Sequence, residues 1–319
     1  MDDRHGHRHD HGPTIARGVG TPHPSGHPRI GIIGAGRVGT ALGVALSRAG
    51  WPVVAVASRD VARRANFARL IPAARPFSEA PAVLDEADLV LLTVPDDAVA
   101  AVTAKLRLYG GQALVHTSGL LPASVLEPAL AAGARGGAFH PLVAFADLER
   151  AVASLVGATV AVDAEPPLLG VLGEMAEAIG AQPVRIGGGG RAAYHAAAML
   201  AAGGFVGLLH AIAEVGRGAG LDEAGSLAIY APLIRQSLAN AESLGIDAAL
   251  TGPVVRGDEQ TIRAHLDALR RLAPGALRLY RAAAAREVEI AVARGALDAA
   301  GGARLQAILL EGQGGTEPA

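Results

Sequence analysis

Gly34, Gly36 and Gly39 stand in the spacing G-x-G-x-x-G, within the run Gly34-Ala35-Gly36-Arg37-Val38-Gly39. That spacing suits the holding of a dinucleotide pyrophosphate. Gly34 permits a tight turn, Gly36 lets the backbone approach the phosphates where a Cβ would collide, and Gly39 lets a helix lie close on a sheet. The N-terminus of that helix supplies amide donors and a favourable dipole. A nicotinamide carried on such a dinucleotide gives hydride, and reducing a carbonyl then needs only an acid for the forming alkoxide. His195, in a helical pattern beside Tyr194, is the candidate acid, since an imidazole titrates near neutrality. The alternative is a histidine hydrogen-bonded inside a helical domain. Tyr194 projects about a quarter-turn away, to bond the cofactor or to pack.

Other side chains extend the pattern. Ser58-Arg59-Asp60 falls where a site for NAD places an acidic residue on the ribose hydroxyls. A hydroxyl and a guanidinium suit a 2′-phosphate instead, so NADP(H) is expected and NAD(H) is less favoured. Asp60 is either the displaced acidic residue or the cap of the next helix. Thr93-Val94-Pro95 ends a further apolar run and is expected to flank the cofactor, with Asp96 and Asp97 capping a helix. His116-Thr117-Ser118-Gly119 follows another strand end: Thr117 is placed at the cofactor, and Ser118 either holds a substrate carboxylate or caps a turn. His140-Pro141 either acts as acid or ligand or fixes a loop. Thr251, before Arg256 and Asp258, is a third catalytic candidate with His195 and Ser118. It belongs to a loop that either closes over an anionic substrate or simply carries a surface Arg256–Asp258 pair with Asp258 as N-cap. No metal site is expected, because the scattered histidines lack ligand spacing and no acidic cluster accompanies them.

The elements that must position these residues are legible as apolar runs. Strands are predicted at Arg29–Ile33, Val53–Ala57, Leu89–Val94 and Ala113–His116, and weaker ones at Gly137–His140 and Thr159–Val162. Helical segments separate most of them. Alternation of this kind implies α/β architecture, a doubly wound parallel Rossmann sheet over residues 29–187. After the glycine run Gly187–Gly190 only helical periodicity remains, giving an all-helical C-terminal domain over 188–311. There Ile262, Leu266, Leu269 and Leu272 line one face, and Pro274-Gly275 ends it. Residues 1–28 are predicted to be a solvated His-rich tail and 312–319 a frayed end. The uncharged stretch Ala192–Ala213 is long enough for a membrane span but rich in Ala and Gly, and is expected to be a buried helix with no membrane partner. Gly203-Gly204 within it costs about 1 kcal/mol per residue relative to Ala, a sign of close approach or tight helix packing.

Composition narrows the classes. The 319 residues suit two domains, half of them are hydrophobic, and the net charge of −2 gives no reason to expect nucleic-acid binding. The absence of cysteine excludes disulfides, thiolate zinc sites and cysteine nucleophiles. No signal-peptide pattern opens the sequence, so a cytoplasmic location is expected. Ala-rich helices need covering, and a homodimer through the helical domain is expected to cover them.

Taken in order, the dinucleotide motif, Val94-Pro95-Asp96-Asp97, His116-Thr-Ser-Gly119, His140-Pro-Leu142 with Phe145, Tyr194-His-Ala196, and Leu250-Thr-Gly-Pro253 with Arg256-Gly-Asp258 resemble one family. It is the Rossmann-like family with a C-terminal domain of unknown function 2520, over about residues 29–300. The Leu-Thr-Gly-Pro segment, Arg-Gly-Asp and His265-Leu266 are its most specific marks. Members are similar in architecture to ketopantoate reductase, 6-phosphogluconate dehydrogenase and pyrroline-5-carboxylate reductase. The resemblance implies an NADP(H)-dependent reductase of a small carbonyl compound, a 2-oxo acid such as ketopantoate. An imine reductase or a non-catalytic NADP(H)-binding sensor are the alternatives. Several such enzymes use a lysine on the first helix of the second domain. The only lysine here, Lys105, belongs to the Rossmann part, and His195 stands on the equivalent helix. Family members often carry an Asn past that histidine where this chain has Ala202-Gly203, so a polar side chain that could orient substrate is missing.

Overall fold

The computed structural model describes residues 26–130 and 133–312, which fall into two compact units divided between Ala198 and Met199. The His-rich run to residue 25 and the residues from 313 lie outside the described residues. Within the expected tail, His27 is ordered enough to stack on Trp51, ring centroids 4.1 Å apart.

The first unit is built on one eight-stranded sheet. Strand β1 (Ile30–Ile33) leads into α1 (Arg37–Arg48), β2 (Val53–Ala57), α2 (Val61–Leu70) and β3 (Arg75–Phe77). Then come β4 (Leu89–Leu92), α3 (Asp96–Thr103), β5 (Ala113–His116), β6 (Arg135–Pro141), α4 (Leu148–Leu155), β7 (Thr159–Ala164), α5 (Leu168–Ala178) and β8 (Gln182–Arg185). The strand order is β3-β2-β1-β4-β5-β6-β7-β8, so the chain winds outward from β1 in both directions. Every neighbouring pair is parallel except β6 and β7, where His140 faces Ala161 in antiparallel register. The expected all-parallel sheet is therefore corrected at one junction; apolar runs carry no information about strand direction. Strands β3 and β8 were not anticipated. Each is short, each contains a proline (Pro76 and Pro183), and neither is buried as a whole.

Ile30, Ile32, Leu89 and Leu91 in the central strands are essentially inaccessible to solvent, which explains why β1 and β4 read as unbroken apolar runs. Burying each such side chain contributes roughly 1.5–3 kcal/mol. Helix α1 packs Leu42 and Leu46 onto the sheet, and Gly43 leaves room for the Phe67 ring. The helix yields to β2 at Gly50, whose φ of +84° suits glycine. At the start of the central strands Arg29 is fixed to Asp88 by Nε at 3.1 Å and Nη2 at 2.9 Å.

Helix α6 (Arg191–Met199) has its residues to Ala198 in this unit, beyond the predicted junction at 187. The second unit opens with a π-helical turn, Leu200–Gly204. It continues as α7 (Phe205–Gly218), α8 (Glu223–Leu244), α9 (Ile246–Ala249), α10 (Glu259–Leu272), α11 (Leu277–Ala293) and α12 (Ala299–Leu310). Ile262 and Leu266 of α10 meet Val288, Leu305 and Ile308 in its core. Leu269 is buried as predicted, but Leu272, at the last helical position, is exposed.

The burial expected of Ala192–Ala213 is not found. The helical run Arg191–Gly218 is long and apolar enough to cross a membrane by length and composition, yet only 6% of its most apolar window is buried. Alanine and glycine give it little to interlock with in a single chain. A side chain at Gly203 would meet nothing, and one at Gly204 only the turn before it, so the described residues give no close approach that requires these glycines. Helix α8 behaves likewise: of its 22 residues only Ser226 is buried.

Candidate cofactor cleft and polar cluster

The carboxyl ends of β1, β2 and β4 open onto a cleft of about 1200 Å³. Its floor is the glycine motif. Gly34 has φ of +113°, and a Cβ there would lie 2.7 Å from the Thr93 carbonyl oxygen. A Cβ on Gly39 would collide with Gly34 O and Thr93 Oγ1. Turn, helix and β4 thus require glycine at both positions. Thr93 fastens the arrangement by donating its hydroxyl to Gly34 O at 2.6 Å. Gly36 differs, since a Cβ there would meet nothing within 4 Å. Open space above an unadorned backbone is what a pyrophosphate needs, and Gly36 stands at the N-cap of α1 with no side chain capping its amides.

Of the residues assigned to a cofactor from sequence, Gly34, Ala35, Gly36, Arg37 and Val38 line this cleft. So do Ser58 and Arg59 at the end of β2, Thr93, Val94 and Pro95 after β4, and Thr117 after β5. Gly39 lies beneath the lining. Asp60 caps α2 by accepting from Arg63 N at 3.0 Å and pairs with Arg63 Nε at 3.3 Å, which is the capping alternative. Arg64 donates to the Ser58 carbonyl and steadies the loop. Sequence reasoning did not place Arg63 or Lys105 at the cleft, though both line it. Only the fold brings them to its rim.

Beyond Thr117 the cleft adjoins a polar cluster built from the ends of β5 and β6 and the start of α6. Asp96 does not cap α3 with its side chain, contrary to expectation. Pro95 occupies the cap position, and Asp96 Oδ2 accepts from Ser118 Oγ at 2.7 Å. Ser118 Oγ also accepts from Leu120 N at 3.1 Å and Leu121 N at 3.0 Å. Its hydroxyl is committed to the turn, which is the structural one of the two alternatives for Ser118.

His116 is wholly buried. Neither ring nitrogen completes a hydrogen bond, although the Pro122 carbonyl favours the protonated form. Burial first, and then the Arg191 charge, push its pKa down to about 4. His140 is pushed down to about 4 as well, by burial and then by His195 and Arg191. Its Nδ1 lies 3.2 Å from the Tyr194 hydroxyl, whose own pKa burial raises. His140 and His195 meet edge to face, centroids 5.6 Å apart. A side chain at residue 119 would collide with both imidazoles, so Gly119 makes their approach possible. His195 Nδ1 is buried without a hydrogen-bond partner. Arg191 reaches under the cluster and donates from Nη2 to Ser118 O at 2.6 Å.

Thr251 lies in the helical unit, exposed, in the loop after α9. Nearby, Asp258 accepts from Thr261 N at 3.0 Å and from Thr261 Oγ1 at 2.7 Å, the expected N-cap, whereas the expected pairing with Arg256 is not among the ion pairs of the described residues. Arg191 was missed in the sequence. The available signal was a cation opening a helix, where the dipole disfavours one.

A Rossmann-like domain model matches residues 22–141, and the domain of unknown function DUF2520 matches residues 158–287. The chain carries a Rossmann-like domain followed by a DUF2520 domain. Among solved structures, this DUF2520 protein is similar to a candidate NADP oxidoreductase, BF3122 from Bacteroides fragilis, at 25% identity and a TM-score of 0.67. The match covers 81% of this chain and 96% of that one. Protein TM1727 from Thermotoga maritima shares 24% identity and a TM-score of 0.63, covering 83% and 99%. A 1-pyrroline-5-carboxylate reductase from Streptococcus pyogenes shares 18% identity and a TM-score of 0.59, covering 83% and 98%. The latter two likenesses are of fold. No curated protein matches the DUF2520 chain.

Proposed function

We propose that this protein is an NADP(H)-dependent oxidoreductase that reduces a small carbonyl compound, a 2-oxo acid, with ketopantoate as the substrate the sequence resemblance favours. The observation that carries the reading is the open space over Gly36 at the start of α1, in a cleft that Arg59 also lines. Kinship with the candidate NADP oxidoreductase of Bacteroides fragilis supports it. Gly34 to Val38 would hold the pyrophosphate on backbone amides, and Ser58 and Arg59 would receive the 2′-phosphate. The bound nicotinamide supplies hydride. His195, with a buried ring nitrogen that has no partner, is assigned as the acid that protonates the forming alkoxide.

The test is a titration of NADPH and NADH into wild type and Arg59→Ala, followed by NADPH oxidation with ketopantoate in wild type and His195→Ala. NADPH should bind more tightly than NADH, and Arg59→Ala should weaken NADPH by about tenfold while sparing NADH. His195→Ala should lose at least about tenfold in turnover with NADPH affinity retained. Tighter NADH binding removes the NADP preference. NADPH binding without ketopantoate turnover removes that substrate.

The exposed apolar side chains of α8, among them Leu227, Ile229, Leu233 and Leu238, support a homodimer through the helical domain, a second copy covering what one chain leaves open. Light scattering should give twice the chain mass. A monomeric mass, with or without adsorption to lipid vesicles, overturns this.

A further inference from the structure

Among the described residues the buried cation of the polar cluster has no counter-ion. Arg191 is 1% exposed, and its Nε and Nη1 find no acceptor; only Nη2 is satisfied, by the Ser118 carbonyl. A guanidinium out of water costs several kcal/mol unless paired. Among the described residues no carboxylate comes within 4 Å of it; Asp163 and Asp96 act only at longer range. Its position adds to the imbalance. Arg191 is the first residue of α6, whose opening turn holds no acidic side chain and whose dipole already favours an anion. The approach to this helix start is bare: Cβ atoms at Gly187, Gly189 or Gly190 would meet nothing within 4 Å. The surrounding groups do not neutralise it, since His116 and His140 are held neutral and Tyr194 keeps its proton at neutral pH. A water would offer an acceptor but no negative charge, and the buried guanidinium would stay without charge compensation.

We propose that Arg191 is the specificity-determining residue for the substrate carboxylate, receiving it on Nε and Nη1 beside His140 and His195. The proposal rests on the reductase reading and names what selects an acid over a neutral carbonyl compound.

The test uses the full chain with oxamate, a small carboxylate shaped like a 2-oxo acid, and oxamide, its uncharged counterpart. Both are titrated calorimetrically into wild type, Arg191→Gln and Arg191→Lys, each with and without NADPH. Wild type should bind oxamate at least about tenfold more tightly than oxamide, and Arg191→Gln should lose that preference while binding NADPH as wild type does. Oxamate bound no better than oxamide by wild type, or equally well by Arg191→Gln, overturns the proposal. Should Arg191→Gln lack the wild-type circular dichroism, Arg191→Lys decides: it keeps the charge with fewer donors, and undiminished oxamate affinity there also overturns it. Failure of wild type to bind NADPH removes the reductase reading alone, because the oxamate and oxamide comparison on the unloaded chain still reports on Arg191.

Discussion

His140 and Tyr194 share a hydrogen bond of 3.2 Å, Nδ1 to hydroxyl, that ties the end of β6 to the start of α6. With the imidazole pushed down to about 4 and the phenol raised, neither partner is charged at neutral pH. In proton NMR the His140 ring signals should stay flat from pH 8 to about 5; a midpoint near 6.5 would refute the buried, uncharged state. Tyr194→Phe should cost about 1 kcal/mol in urea unfolding, the usual worth of one neutral hydrogen bond.

Gly119 keeps the imidazoles of His140 and His195 together. Gly119→Ala should destabilise the fold by about 1–3 kcal/mol through overpacking against the two rings. NADPH titration should be little changed, because the cleft lies on the other side of Thr117. A variant as stable as wild type would contradict the packing described.

At the cleft floor, Gly39→Ala should abolish measurable dinucleotide binding, since the added carbon must displace Gly34 O or Thr93 Oγ1. Thr93→Val keeps the shape and removes the hydroxyl that bonds Gly34 O. It should weaken NADPH several-fold and lower stability by about 1 kcal/mol. Retention of wild-type affinity by both variants would separate the glycine motif from cofactor binding.

Stability should depend on pH in a defined direction. His116 and His140 have folded pKa values of about 4 against an ordinary 6.5. Between those values the unfolded chain binds protons that the folded chain refuses, so stability falls as pH drops from about 6.5 to about 4 and levels off below. For His116 alone the loss is on the order of 3 kcal/mol. Urea titrations at pH 7.5, 6 and 4.5 should show the decline, and His116→Asn should flatten it. A profile unchanged over this range would mean that the rings take up protons in the fold as they do in the unfolded chain.

The core of the first unit was legible because it obeys local rules. Strands β1, β2 and β4 are apolar throughout, and β5 is so up to His116, since both faces of a central parallel sheet are covered. Strands β3 and β8 offered no such signal: Arg75-Pro-Phe and Gln182-Pro-Val-Arg are too short and too exposed to alternate. The glycine spacing foretold the turn and helix because each glycine answers a local steric demand. It could not foretell Thr93 as the fastening residue, which arrives from another strand. Likewise Ser118, His140 and Tyr194 were visible as candidates, but their partners were not, because strand direction and side-chain distance are tertiary facts. The error over the run Arg191–Gly218 has a similar cause: apolar composition says that a helix wants cover and does not say whether its own chain supplies it.

The prolines of β3 and β8 carry a consequence for how molecules of this kind can accumulate. Both outermost strands are short and each lacks an amide donor where Pro76 or Pro183 stands. A sheet terminated in this way is a poor template for another strand, so fibrillar growth has no rail at either end. Crowding at high concentration should therefore bring these molecules together through helices, in assemblies of fixed size, and turbidity on heating should follow loss of the fold without preceding it.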